Sequence, residues 1–210
     1  MEISSNTFAD GEMIPERCAF AKHDPDTRVT FAGNLNPHLG WWDVPEGTKS
    51  FTVICHDYDV PSVGDDVNQP DREVPADLPR VDFYHWVVVD LPSDKRSIEE
   101  GEFSEGGVVA GGRQDQGGPH GTRLGLNDFT GWFAEDPDMA GRYFGYDGPA
   151  PPWNDSILHR YRFTVYALDI ESVAVQGAFT GEHVREAIEG HILASAFLDG
   201  TYTQNPRLLE

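Results

Sequence analysis

Arg160-Tyr161-Arg162-Phe163-Thr164-Val165-Tyr166-Ala167-Leu168 alternates in character residue by residue. In an extended chain Tyr161, Phe163, Val165 and Ala167 share one face, and Arg160, Arg162, Thr164 and Tyr166 share the other. A period of two marks a strand with one face in a core. Two further runs read the same way. Ser50-Phe51-Thr52-Val53-Ile54-Cys55 is apolar on both faces near its end, as a strand buried from both sides requires. Tyr84-His85-Trp86-Val87-Val88-Val89-Asp90-Leu91 is closed by Pro92, which cannot donate to a ladder. Arg28-Val29-Thr30-Phe31 predicts a short strand, and residues 191–198 predict a last one that ends by Gly200. Asn36-Pro37-His38-Leu39 with Trp41 and Trp42 predicts an irregular connection anchored by aromatics. A helix is expected from Thr180 or Gly181, with Val184, Ala187 and Ile188 on one face and a stop at Gly190. Many strands, Pro/Gly turns and little helix predict a mainly β protein: an antiparallel β-sandwich with a C-terminal helix and small helical additions. The 210 residues fit one domain over 1–210.

Charge narrows the function classes. Thirty-six acidic residues face 15 basic ones, for a net charge of -21, and only Lys22, Lys49 and Lys95 are lysines. Such a surface repels nucleic acid and anionic lipid headgroups, whose binding depends on Lys and Arg. Self-repulsion on this scale calls for screening by salt, so a cytoplasmic protein of a halophile is expected. The N-terminus lacks a basic-then-apolar leader pattern, and no apolar run reaches the length of a membrane span. Cys18 and Cys55 lie in apolar contexts without metal-ligand spacing and read as free buried thiols.

Chemistry concentrates in two segments. One is Cys55-His56-Asp57-Tyr58-Asp59-Val60-Pro61, with His85 downstream. The other is Tyr146-Asp147-Gly148-Pro149-Ala150-Pro151-Pro152, followed by His159-Arg160-Tyr161. Converging Asp57, Asp59, His85 and His159 make a polar end to an apolar pocket. Carboxylates beside imidazoles favour the imidazolium form, so a pair of charged histidines and backbone N–H groups near Gly148 are expected to receive an anion. Arg160 is expected to pair with a nearby carboxylate. Residues 106–121 are Gly-rich but lack the Lys-Ser/Thr ending of a P-loop, and no Gly-x-Ser-x-Gly elbow is present.

In chain order, a larger set of pieces resembles the phosphatidylethanolamine-binding protein family, in its prokaryotic Raf-kinase-inhibitor-like branch. They are Asn36-Pro37-His38-Leu39, residues 44–51, Asp57-Tyr58-Asp59-Val60-Pro61, residues 85–92, Asn127-Asp128-Phe129, residues 145–152, His159-Arg160-Tyr161 and residues 189–194. The resemblance implies a Greek-key β-sandwich with a shallow anion pocket. It places Asp57, Asp59, Pro61 and His85 in one half of that pocket, and Gly148, Pro151, Pro152, His159 and Tyr161 in the other. The family has Pro between the two aspartates. Tyr58 stands there instead, removing a φ constraint and putting a ring at the expected pocket lip. The segments 63–82 and 128–144 are longer than the resemblance leads one to expect and are placed over the pocket or at an interface.

The function read from these residues is non-enzymatic binding of a small anionic or phosphorylated ligand, in a regulatory role. No cofactor or metal is expected, a protein partner and a homodimer are, and nucleic acid and membrane insertion are not. Two alternatives stay open: a hydrolase or isomerase using an Asp–His pair, and an interaction module with a vestigial pocket whose Trp132-Phe133 loop binds a partner.

Overall fold

In a computed structural model, which describes residues 1–209, ten strands and two α-helices follow one another. They are β1 (Glu2–Ser4), β2 (Ala21–Asp24), β3 (Arg28–Phe31), β4 (Leu39–Trp42), β5 (Ser50–Pro61), β6 (Arg80–Pro92), β7 (Ser97–Ile98), β8 (Arg123–Leu124), α1 (Phe129–Trp132), β9 (His159–Leu168), α2 (Gly181–Ile188) and β10 (Ile192–Tyr202). One antiparallel sheet has the order β10-β9-β5-β6-β8, a second the order β1-β4-β7, and β2 pairs with β3 in a separate hairpin.

The position of β5 explains its composition. It is central, with β6 on one side and β9 on the other. Phe51, Val53 and Cys55 face the core shared with Leu39, Trp41 and Ile98 of the smaller sheet. Ile54 faces a second cluster built with Val87, Val89 and Leu168, covered by Val184 and Ile188 of α2. The strand is therefore apolar on both faces because a sheet covers one side and a helix the other. In β9, Tyr161, Phe163, Val165 and Ala167 are all fully buried in the inter-sheet core, as their alternation requires. Cys18 and Cys55 are free and buried.

The structure departs from the sequence reading where short elements form, among them β1, β7, β8 and α1, and four departures bear on the fold. Residues 39–42 are not irregular: β4 pairs with both β1 and β7, and Trp41 packs edge-on to Phe51 at 5.3 Å. Four residues are too few for a period to show. Strand β2 went unread because its pattern is split between Ala21 and the half-buried Lys22, His23 and Asp24. Strands β5 and β6 run on past Cys55 and begin before Tyr84, so that Val60 pairs with Val81 across a register shift after Asp57. Strand β10 continues through Gly200 to Tyr202, because Gly200 is where Ile14 presses on the strand: a Cβ there would sit 2.5 Å from the Ile14 side chain.

Candidate ligand-binding site

The far halves of β5, β6 and β9 meet the β2–β3 hairpin, α1 and the segment after Pro61 around a cavity of about 300 Å³. Its inner end holds Asp57, His85, His159 and Tyr161, and Pro61, Pro151 and Pro152 form part of its wall. Seven of the nine residues expected in the site therefore border one cavity. The other two do not. Asp59 is buried, and its carboxylate is held by Arg160 through Nε at 2.7 Å, Nη2 at 2.7 Å and the backbone N–H at 2.9 Å. The N–H of Gly148 donates to Asn34 Oδ1 at 2.8 Å, so it is not free for an anion. Gly148 is nonetheless required, because a Cβ there would lie 2.0 Å from the Cys18 carbonyl oxygen.

Tyr58 is not at the pocket lip. Strand alternation turns it to the opposite sheet face, where the Arg160 and Arg162 guanidiniums lie 4.5 and 5.2 Å from its ring centre. Its hydroxyl donates to Asp199 Oδ2 at 3.3 Å.

The two histidines behave differently. His159 lies between two carboxylates. Its Nδ1–H donates to Asp57 Oδ2 at 2.7 Å and its Nε2–H to Asp155 Oδ2 at 3.0 Å. Burial alone would depress its pKa, but the Asp57 charge and the hydrogen bonds to Asp155 and Asp57 reverse this and raise it to about 9. Asp155 in turn takes both Arg80 Nη groups, at 2.6 and 3.1 Å. Burial opposes ionisation of Asp155, yet its bonds from His159 and Arg80 outweigh that and hold its pKa below the usual range. Two carboxylates, one imidazolium and one guanidinium leave this buried chain with no net charge. His85 has no such partners. Burial lowers its pKa and outweighs the nearby Asp57 charge, so the ring is neutral at pH 7. Its Nδ1–H donates to the Asp147 carbonyl at 2.8 Å, which leaves Nε2 as a lone-pair acceptor. The expected pair of imidazoliums is therefore one charged ring with both N–H groups engaged and one neutral ring.

Several site residues carried no sequence signal. Gln204 borders the cavity. Its amide donates to the Pro151 carbonyl at 2.7 Å, while its Oε1 is buried without a partner in the protein. The Tyr161 hydroxyl is also buried and makes no hydrogen bond of ordinary length; the nearby Asp57 carboxylate is the acceptor it leans towards, and burial together with that charge raises its pKa. Behind His85, Asp147 accepts from Asn34 and Asn127, each at 2.8 Å, and fixes the carbonyl that sets the His85 tautomer. Burial raises the Asp147 carboxyl to about 6 despite those two donors. Asp155 could have been suspected from its position one strand-entry turn before His159. Nothing local marks Gln204 or Asn34.

The segments at 63–82 and 128–144 both reach the cavity, through Val63, Gly64, Val67 and Asn68 and through Phe129, Trp132 and Phe133. The Trp132-Phe133 stretch is thus part of the pocket wall. Among the described residues, no group of three or more His, Cys, Asp or Glu side chains is arranged to hold a metal ion.

The fold and site together define a two-sheet β protein with an aromatic-walled cavity ending on a buried carboxylate–imidazole chain. The chain belongs to the phosphatidylethanolamine-binding protein family, whose model matches residues 4–203. It is 35% identical over 203 residues to the UPF0098 protein YbhB of Escherichia coli, covering 97% of this chain and all of that one. A UPF0098 protein of Aquifex aeolicus is 34% identical over 98% of this chain and 90% of its own length. Among solved structures, Escherichia coli YbcL, described as a member of the mammalian PEBP family, superposes with a TM-score of 0.65 at 27% identity, covering 96% of this chain and 97% of that one. Among the described residues, no helix is long and apolar enough to cross a membrane.

Proposed function

We propose that this protein binds a small anionic or phosphorylated ligand in the cavity between β5, β6 and β9, without chemical turnover. The observation that carries this reading is the set of unsatisfied polar groups at the inner end. Gln204 Oε1 is buried and unpartnered, the buried Tyr161 hydroxyl has only the Asp57 carboxylate close to it, and His85 Nε2 is left free by the bond at Nδ1. Buried polar groups without good partners cost free energy, so two of them beside the free His85 Nε2 at the end of one cavity support the reading that a polar ligand is received there. Tyr161 supplies an O–H donor, while Gln204 Oε1 and His85 Nε2 supply acceptors. An oxyacid that keeps one proton, such as a phosphate monoester monoanion, satisfies both kinds of group. The neutral Asp57–His159–Asp155–Arg80 chain lets a negative charge approach Asp57 without a large penalty. Both N–H groups of His159 are committed to carboxylates, so it is poorly placed to shuttle protons to a substrate. That favours binding over acid–base catalysis.

The same proposal includes a regulatory role exerted through a protein partner, a cytoplasmic location in a salt-rich cell, one domain across the chain, and a homodimer. For the last, exposed Ile192, Leu193 and Phe197 on the edge strand β10 offer the contact, and sedimentation in molar KCl measures it.

Titration with inorganic phosphate at constant ionic strength, followed by NMR at His85 and Tyr161, tests the site. Wild type is expected to show saturable shifts at both rings. Tyr161→Phe is expected to bind roughly tenfold or more weakly, the usual loss of one hydrogen bond to a charged group. Equal affinity in Tyr161→Phe, or shifts confined to surface residues, would sink the proposal.

A further inference from the structure

The polar end of the cavity says how a ligand is anchored; its walls say what the rest of the ligand is. Six of the side chains bordering it are Phe20, Phe31, Phe83, Phe129, Trp132 and Phe133. Five of the chain's 12 phenylalanines are thus gathered here. The inter-sheet core uses others, such as Phe8, Phe51, Phe103, Phe144 and Phe163. The wall has a definite geometry. Phe20 and Phe129 stack at 4.4 Å with an interplanar angle of 16°, and Phe129 and Phe133 stack at 5.6 Å with 12°. The His85 ring stands edge-on to Phe129 at 5.4 Å and to Tyr161 at 5.2 Å. An array of near-parallel rings thus runs beside the group that meets the anion.

The mouth is apolar too. Phe31, Val63 and Trp132 come from three separate segments, border the cavity, and are 58%, 52% and 53% exposed. Singly exposed apolar residues are ordinary on a protein surface, but three around one opening form a rim. At about 300 Å³ the cavity lies at the small end of ordinary ligand pockets and suits a compact occupant. A single ring bearing an acid group is of this size.

We propose that the ligand is an aryl acid, an aromatic ring carrying a phosphate or similar oxyacid group, with the ring lying along the Phe20–Phe129–Phe133 stack and the acid at Tyr161, Gln204 and His85. This rests on the anion-binding reading above and adds the identity of the ligand's body. Aromatic pairs in offset or edge-to-face contact gain free energy beyond the area they bury. A rigid ring also loses less conformational freedom on binding than an alkyl chain of the same carbon count.

Phenyl phosphate, n-hexyl phosphate and inorganic phosphate, titrated into the full chain in molar KCl, separate the cases. Phenyl phosphate is expected to bind roughly tenfold tighter than hexyl phosphate, and tighter again than inorganic phosphate. Its ring protons are expected to shift upfield in NMR, as stacking against Phe133 requires. Phe133→Leu, at a half-buried position, is expected to erase most of the phenyl-over-hexyl preference. Hexyl phosphate binding as well as phenyl phosphate overturns the aryl proposal and leaves the anion pocket standing. If none of the three binds at His85 and Tyr161, the anion-binding reading itself fails and the aryl proposal falls with it. Should Phe133→Leu not fold, the three-ligand comparison on wild type decides alone.

Discussion

Raising the pH from 7 to 8.5 is expected to destabilise this protein by about 2 kcal/mol, through His159 alone. The His159 ring is fully buried between Asp57 and Asp155, and its pKa is raised from 6.5 to about 9. The folded state therefore holds this proton more tightly than the unfolded chain does. The resulting stability is fully present below pH 6.5 and is lost as pH rises through 9, at roughly 1.4 kcal/mol per unit in between. Over the whole range this amounts to ~3 kcal/mol, a large share of the stability of an ordinary domain. The chosen window isolates the effect. Asp128 and Asp147 are raised by burial to about 6 and have finished titrating by pH 7. His56 is lowered by burial and the Arg185 charge to about 4, so it is neutral in the folded state throughout, and in the unfolded chain it is nearly so. Cys18 is pushed by burial up to about 12 and Cys55 well above its usual value, so their unfolded thiolates add a smaller loss in the same direction, up to about 0.4 kcal/mol each by pH 8.5. The assay is urea unfolding by tryptophan fluorescence in constant molar KCl at several pH values, with His159→Gln as control. Wild type should lose stability steadily across the window, and His159→Gln should be weaker at pH 7 and keep only the smaller slope that the two buried cysteines give. A wild-type change below ~0.5 kcal/mol, or an NMR titration placing the His159 pKa near 6.5, would refute the reasoning, since the linkage follows from the shift itself.

The remaining predictions are structural. Gly148→Ala must displace the Cys18–Ala19 backbone, which a Cβ would meet at 2.0 Å; denaturation should show a loss of about 2–3 kcal/mol, and a neutral result would mean this contact yields easily. Asp59→Asn leaves the cavity lining intact and disrupts only the clamp on Arg160. It should lower the melting temperature while changing phosphate affinity less than about twofold, whereas a tenfold loss would return Asp59 to the ligand. A chain of net charge -21 should melt several degrees higher in about 2 M KCl than in ~50 mM KCl, because added salt screens its self-repulsion; equal melting temperatures would remove the halophilic reading.

The strands around the site were legible because their burial is strict. In β9 every second side chain is fully enclosed, so alternation from Tyr161 to Ala167 could not be missed. The same holds for the position of α2, where Val184 and Ile188 cover one patch of sheet. Strand β4 was not legible, because its pairing comes from β1 and β7, each distant in the chain and only a few residues long. Tyr58 was misplaced for a related reason. Its sequence neighbours Asp57 and Asp59 suggested one shared site, but a strand sends adjacent residues to opposite faces.

Sequence alone determined the mainly β architecture, the ordered residues that show the family, and most of the side chains at the cavity's inner end. All of these follow from local period or from residue types at fixed spacing. Tertiary structure alone decided the electrostatics. Two histidines with similar sequence surroundings take opposite protonation states, because His159 meets Asp155 and Asp57 while His85 meets a backbone carbonyl and aromatic rings. It also decided that Gln204 and six aromatic side chains from four segments converge on one cavity, with Asn34 behind it on Asp147. A pKa depends on every charge and dipole within a few ångströms, and for His159 those neighbours come from as far as 102 residues away in the chain.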